Sequence, residues 1–151
     1  MKRFILLLFL PVFLAGCSEK GIYTDINGQK IKPFKNKGKA TLVSIFNSTC
    51  RYCARQSEEI KKLADAYSND LYVIGASLSP EKNTRHYIAE NNIRFPVVAA
   101  SRGQLIRDFG PVSAIPTTYV LDKKGRIYSR YHAFIPFIVL ETDIRAVLLQ
   151  K

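Results

Sequence analysis

Apolar residues in this chain follow two alternating patterns: short continuous runs and stripes at helical spacing. Residues 40–46 form one run and residues 71–78 another, and each reads as a buried strand. Between them Ile60, Leu63, Ala64 and Tyr67 repeat at i, i+3, i+4 and i+7, the apolar face of a helix running from just after Cys50 to Tyr67. Ser79-Pro80-Glu81 opens a second helix, with Ser79 as its expected N-cap, that continues to about Asn91. Residues 95–99 read as a short strand. Ser101 and Gln104 then have capping-box spacing for a short helix that carries Leu105, Ile106 and Phe109 and stops at Gly110. Residues 117–122 and 126–131 read as strands joined by Lys123-Lys124-Gly125, and Pro136 starts a last helix with Phe137, Leu140, Ile144 and Val147 on one face. Ahead of all of these, residues 22–25 and 29–31 flank Ile26-Asn27-Gly28, a hairpin signal. Strands that alternate with helices call for an α/β fold whose sheet is covered on both faces.

Composition agrees with one such domain. The chain has 151 residues, 47% of them apolar, enough to build a single buried core. The formal charge of +11 raises nucleic acid and anionic membranes as partners. No helix-turn-helix, aromatic RNA-binding motif or arginine stripe accompanies it, so no nucleic-acid partner is expected. Lysines at 30, 32, 35, 37 and 39 surround Pro33 and Gly38. They read as a solvated loop and an edge strand that lysine protects from aggregation, with a basic collar for lipid headgroups as the alternative.

The N-terminus reads as an address. Lys2 and Arg3 precede an apolar stretch from Phe4 to Leu14 that is interrupted by Pro11 and is shorter than the ~20 residues a membrane span needs. It ends in Leu14-Ala15-Gly16-Cys17, which resembles a bacterial lipobox. That resemblance implies removal of residues 1–16 as a lipoprotein signal peptide and a diacylglycerol on the Cys17 sulfur. Residues 17–20 are then a lipidated tether and residues 21–151 the folded domain. Several acyl chains together give stable anchoring. The expected location is the cell envelope, lipid-anchored to a bacterial membrane and facing the periplasm or the exterior, where disulfides persist.

Of the three cysteines, Cys17 is thereby assigned to lipidation, which leaves Cys50-Arg51-Tyr52-Cys53. A C-x-x-C at a strand-to-helix junction fits a thioredoxin-like redox site, although the spacing alone also fits half of a zinc site. The two histidines, His86 and His132, are too few and too badly spaced for a Cys2His2 finger, so no metal site is expected. Ile115-Pro116 lies just before a predicted strand. The C-x-x-C and this Ile-Pro resemble the thioredoxin superfamily, and most closely its membrane-anchored TlpA/ResA-like thiol-disulfide oxidoreductases. Gly38-Lys39, Val73-Ile-Gly-Ala-Ser77, Phe95-Pro96, Ile115-Pro-Thr-Thr-Tyr-Val-Leu-Asp122 and Lys124-Gly-Arg126 extend the match over nearly all of the chain after Cys17.

The resemblance implies a thioredoxin-like fold with a central mixed sheet. It also implies a cis Ile115–Pro116 bond facing the disulfide, so that Ile115 and Pro116 form the substrate-binding wall. Cys50 is the expected attacking thiolate and Cys53 the resolving thiol, with no cofactor beyond their disulfide. The expected partners are protein thiol or disulfide substrates and an upstream membrane electron donor. The expected direction is reduction, for example of apocytochrome c or other envelope thiols. A thioredoxin-fold copper metallochaperone that uses the same two thiols is the rival reading. Arg51 and Tyr52 are expected to tune the redox couple, Arg51 by stabilising the thiolate, hence the reduced form, and so pushing the couple toward an oxidising potential.

The chain departs from the family pattern at several positions. Thr49 stands where tryptophan is usual, Tyr52 where proline is common, and Gln56 where glutamate is frequent. Ser44 occupies the place of the buried aspartate of cytoplasmic thioredoxins, and Glu58 and Glu59 read as surface residues. The peroxiredoxin pattern of proline and threonine ahead of the reactive cysteine is absent.

Overall fold

The computed structural model describes residues 21–36 and 38–150. The expected signal peptide, Cys17 and its tether, Lys37 and Lys151 lie outside the described residues. Among the described residues, no helix is long and apolar enough to cross a membrane.

The fully apolar run becomes β3 (Ala40–Phe46), buried along its whole length. A strand buried on both faces needs neighbours on both edges, and it has them. It pairs in parallel with β4 (Leu71–Ser77) and antiparallel with β6 (Thr117–Leu121). With β5 (Val97–Ala99) and β7 (Ile127–His132) the order is β5-β4-β3-β6-β7, a mixed five-stranded sheet. β5 begins at Val97 rather than at the predicted Phe95 because Pro96 has no N–H to give a ladder; its carbonyl accepts from Gly75 instead.

Helices α1 (Arg51–Ala66) and α4 (Phe137–Leu149) cover one face, and Ile60, Leu63, Leu140, Ile144 and Val147 pack there on Leu42, Val73 and Val120. The other face is covered by a separate hairpin, β1 (Tyr23–Thr24) with β2 (Lys30–Ile31), and by α3 (Arg102–Phe109). Tyr23, Ile31, Leu105 and Phe109 pack there on Val43, Ile45, Ile74 and Tyr119. The expected architecture, a mixed sheet with helices on both faces and an N-terminal hairpin, is what forms.

Local rules place most helix ends. Ser101 and Gln104 make the predicted capping box, and Gly110 ends α3 at φ 86. Helix α2 (Glu81–Glu90) corrects one expectation, since its N-cap is Pro80 and no side chain caps it. The Ser79 hydroxyl instead accepts the Ser48 amide at 2.9 Å, which ties the loop after β3 to the start of α2. The turn between β6 and β7 requires its glycine. Gly125 sits at φ +77, and a Cβ there would lie 2.0 Å from the Phe34 carbonyl oxygen.

Candidate active site

β3 delivers its chain to the loop 47–49, where the Asn47 side chain accepts from the amide and hydroxyl of Thr49, each at 3.2 Å. Cys50 is the N-cap of α1, with extended backbone (φ −90, ψ 108), and its sulfur accepts the Cys53 amide at 3.1 Å. A cap normally takes a serine or aspartate oxygen; here a sulfur fills that place. The first turn of α1 carries no acidic residue, so the helix's unpaired N–H groups act on this sulfur undiminished. That setting favours the thiolate once the pair is reduced.

Cys50 and Cys53 are joined as a disulfide, with 5.2 Å between their Cα atoms. The two sulfurs differ in access. Cys50 is part-exposed, whereas Cys53 is 1% exposed and packs with Phe46, Tyr87, Ile93 and Val97. Ile115 packs into the same cluster, so the structure brings Cys50, Cys53 and the residue before Pro116 together. The Ile115–Pro116 bond is cis. Arg51 is exposed and Tyr52 is 59% exposed, so neither presses on the sulfurs from within the core.

Three residues beside the cysteines do work that the sequence did not indicate. Gln56 is fully buried; it donates to the Ile135 carbonyl at 3.1 Å and accepts the Ile135 amide at 2.7 Å. Glu59 was expected at the surface, yet its carboxylate accepts the Phe137 amide at 2.8 Å and so serves the otherwise uncapped start of α4. The Lys62 ammonium holds the Glu59 carboxyl below its usual range against the effect of burial, and the Phe137 amide adds to the shift. Tyr87 stacks on Phe46 with ring centroids 4.7 Å apart, and its hydroxyl lies 3.0 Å from that of Ser57. Burial pushes the Tyr87 phenol up, so it stays an O–H at neutral pH. Glu58 remains at the surface, paired with Lys61. Ser44 is buried in register with Thr118 on β6, a hydroxyl where a carboxylate would be the proton acceptor.

The backbone at Pro116 is tied to α1 through one short segment. The Ala133 amide donates to the Pro116 carbonyl at 2.9 Å, and Ala133 itself sits at φ 79, in the left-handed region. Phe134 lies under the Arg55 guanidinium, 4.7 Å from carbon to ring centroid, and Ile135 is held by Gln56. His132 is exposed, and its Nδ1 lies 3.1 Å from the Thr117 hydroxyl.

A family model described as the AhpC/TSA family matches residues 15–130. The chain belongs to that family. It is 25% identical over 108 residues to the thiol-disulfide oxidoreductase ResA of Bacillus thuringiensis subsp. konkukian, which takes in 70% of this chain and 62% of the relative. It is 29% identical over 107 residues to the sporulation thiol-disulfide oxidoreductase A of Bacillus subtilis, covering 68% of this chain and 64% of that one. The chain thus spans a little under two thirds of the length of these curated relatives.

Among solved structures, StoA from Bacillus subtilis matches with a TM-score of 0.69 at 24% identity, over 81% of this chain and 93% of StoA. A putative thiol:disulfide interchange protein DsbE from Chlorobium tepidum matches with a TM-score of 0.76 at 21% identity, over 84% and 92%. These likenesses show the thioredoxin-like fold, and the expected kinship with ResA-like proteins holds.

Proposed function

We propose that this protein is an envelope thiol-disulfide oxidoreductase that exchanges its Cys50–Cys53 pair with protein substrates, acting as a reductant. One observation carries the reading: a part-exposed sulfur at a helix N-cap is bonded to a buried partner sulfur one turn on. The names of the relatives, thiol-disulfide oxidoreductases, support it.

In the reductive direction the Cys50 thiolate attacks a substrate disulfide, and the substrate's other sulfur leaves as a thiolate. Cys53, once deprotonated, attacks the Cys50 sulfur. The second substrate thiolate is released and the Cys50–Cys53 disulfide closes. The backbone at Ile115 and Pro116 is the wall against which the substrate strand rests, supported by its packing beside the disulfide. Arg51 is exposed to solvent, so salt and water screen its pull on the thiolate and weaken the argument for an oxidising couple. In this reading Cys17 carries the lipid anchor, and a membrane electron donor re-reduces the pair.

Reduction of insulin by dithiothreitol tests the central step. The wild-type protein should accelerate it, and Cys50→Ser should abolish the acceleration; equal rates for the two would overturn the proposal. Direction follows from the potential of the pair, with a value near about −270 mV expected and one near about −120 mV pointing to disulfide insertion instead. Cys17→Ser should move the protein from the membrane fraction to the soluble fraction, and an unchanged distribution would exclude the lipid anchor.

A further inference from the structure

The disulfide does not lie on a flat surface. A cavity of about 280 Å³ opens beside it, between the start of α1 and the end of α2, with Cys50 in its lining. A second cavity of similar volume continues along α2 and shares Ser48, Thr49, Tyr87 and Glu90 with the first. The two form a trough that extends from Cys50 along α2, and Ile115 and Pro116 line neither part of it.

The polar side chains of the Cys50 cavity are already engaged within the protein, with one exception. The Ser48 hydroxyl lies 3.0 Å from that of Ser79, and the Thr49 hydroxyl bonds Asn47. Tyr87 bonds Ser57, and the Asn91 side chain donates to the Tyr87 carbonyl. The Glu90 carboxylate has His86 Nε2 at 3.1 Å. Within this lining Arg51 alone has no hydrogen-bond or ion-pair partner among the described residues. The trough therefore offers one unpartnered guanidinium, one residue from the reactive sulfur, with the Glu90 carboxylate also in its lining. A guanidinium presents paired N–H donors that match a carboxylate.

We infer that Arg51 is a specificity residue: it receives a carboxylate side chain that flanks the reactive cysteine of a peptide substrate and reaches into this trough while the substrate strand rests on Ile115 and Pro116. The inference rests on the exchange reaction proposed above and names its substrate class, disulfides with an acidic neighbour. Cys50 attacks the substrate sulfur, the substrate S–S bond breaks, and the leaving sulfur departs with the bonding electron pair. The carboxylate–Arg51 contact holds the substrate in place and takes no part in the electron transfer.

The test uses reduced protein and three peptides that differ only beside a single cysteine, which is blocked as a 2-pyridyl disulfide. The neighbours are Asp and Glu, Asn and Gln, or Lys and Arg, and thiopyridone release is followed by absorbance. The acidic peptide should exceed the basic one by about fivefold in second-order rate, the size expected of one solvent-accessible ion pair. Arg51→Gln should bring the ratio close to one, Arg51→Glu should invert it, and added salt should shrink it. Glu90→Gln should leave the order of the peptides unchanged. If Arg51 acted only on the reactivity of the thiolate, its replacement would change all three rates by one factor and leave the ratio intact; that result overturns the inference. A wild-type protein that reacts equally with all three also overturns it while leaving the exchange reaction standing. No reaction with any peptide would bring down both. Arg51 is exposed and has no partner to lose, so its variants should fold.

Discussion

Asp122 shows how much one side chain can organise. Its carboxylate accepts the amides of Lys124 and Arg126, each at 2.9 Å, and the Arg126 Nε at 2.7 Å. Burial alone would raise its pKa, but the Arg126 amide and guanidinium and the Lys124 amide outweigh it and hold the carboxyl below its usual value. The unfolded chain therefore binds a proton here at a pH where the folded chain does not. Asp122 contributes stability that is fully present above the ordinary carboxylate range and is lost as the pH falls through the folded value. Asp122→Asn should cost about 1–3 kcal/mol at neutral pH and should flatten the loss of stability as the pH falls through and below the ordinary carboxylate range. Denaturant titrations at several pH values check both, and an unchanged acid limb would count against this assignment.

At the scale of elements, α1 both carries the dithiol and holds the segment before α4. Gln56 does most of the holding, because its amide satisfies the amide and the carbonyl of Ile135 together. Gln56→Ala leaves both groups of Ile135 without that partner and should destabilise the fold by about 2–4 kcal/mol, read from urea unfolding. Gln56→Glu keeps an acceptor for the Ile135 amide but sets a buried carboxylate against the Ile135 carbonyl, so at neutral pH it should cost at least as much as Gln56→Ala and should lose less stability relative to wild type at low pH, where the protonated acid can donate.

None of this was visible in the sequence, because Gln56 and Ile135 are 79 positions apart and neither has a local signature. What was visible shared one property: the cause lay within a few residues. The run of seven apolar residues in β3, the Ser101 capping box and the C-x-x-C at the end of a strand are of this kind. Ser79 shows the limit of such rules. It has the right type and place for an N-cap, yet Ser48, 31 positions away, takes its hydroxyl. Tyr87 was equally silent, one aromatic on a weakly patterned helix whose partner, Ser57, lies 30 positions off.

The whole molecule is arranged around β3, and the two ends of that strand have different tasks. Beyond Phe46, at one end, lies the disulfide. Near Ala40, at the other, the Phe34 carbonyl lies against the Gly125 turn, and Gly21 enters the domain against the Phe34 ring. Gly21 is fixed there, since its amide donates to the buried carboxylate of Asp108 at 3.1 Å and the Tyr23 hydroxyl donates to the same oxygen at 2.7 Å. The strand between the two ends is about 20 Å long. The four residue steps from Cys17 to Gly21 can add at most about 14 Å. A lipid on Cys17 would therefore hold this protein close to its membrane by the end remote from its chemistry. The reactive sulfur would then lie farther from the anchor than Gly21 does, by about the length of β3. A soluble partner would meet it directly, and a partner embedded in the same bilayer would meet it with a domain that extends from the surface.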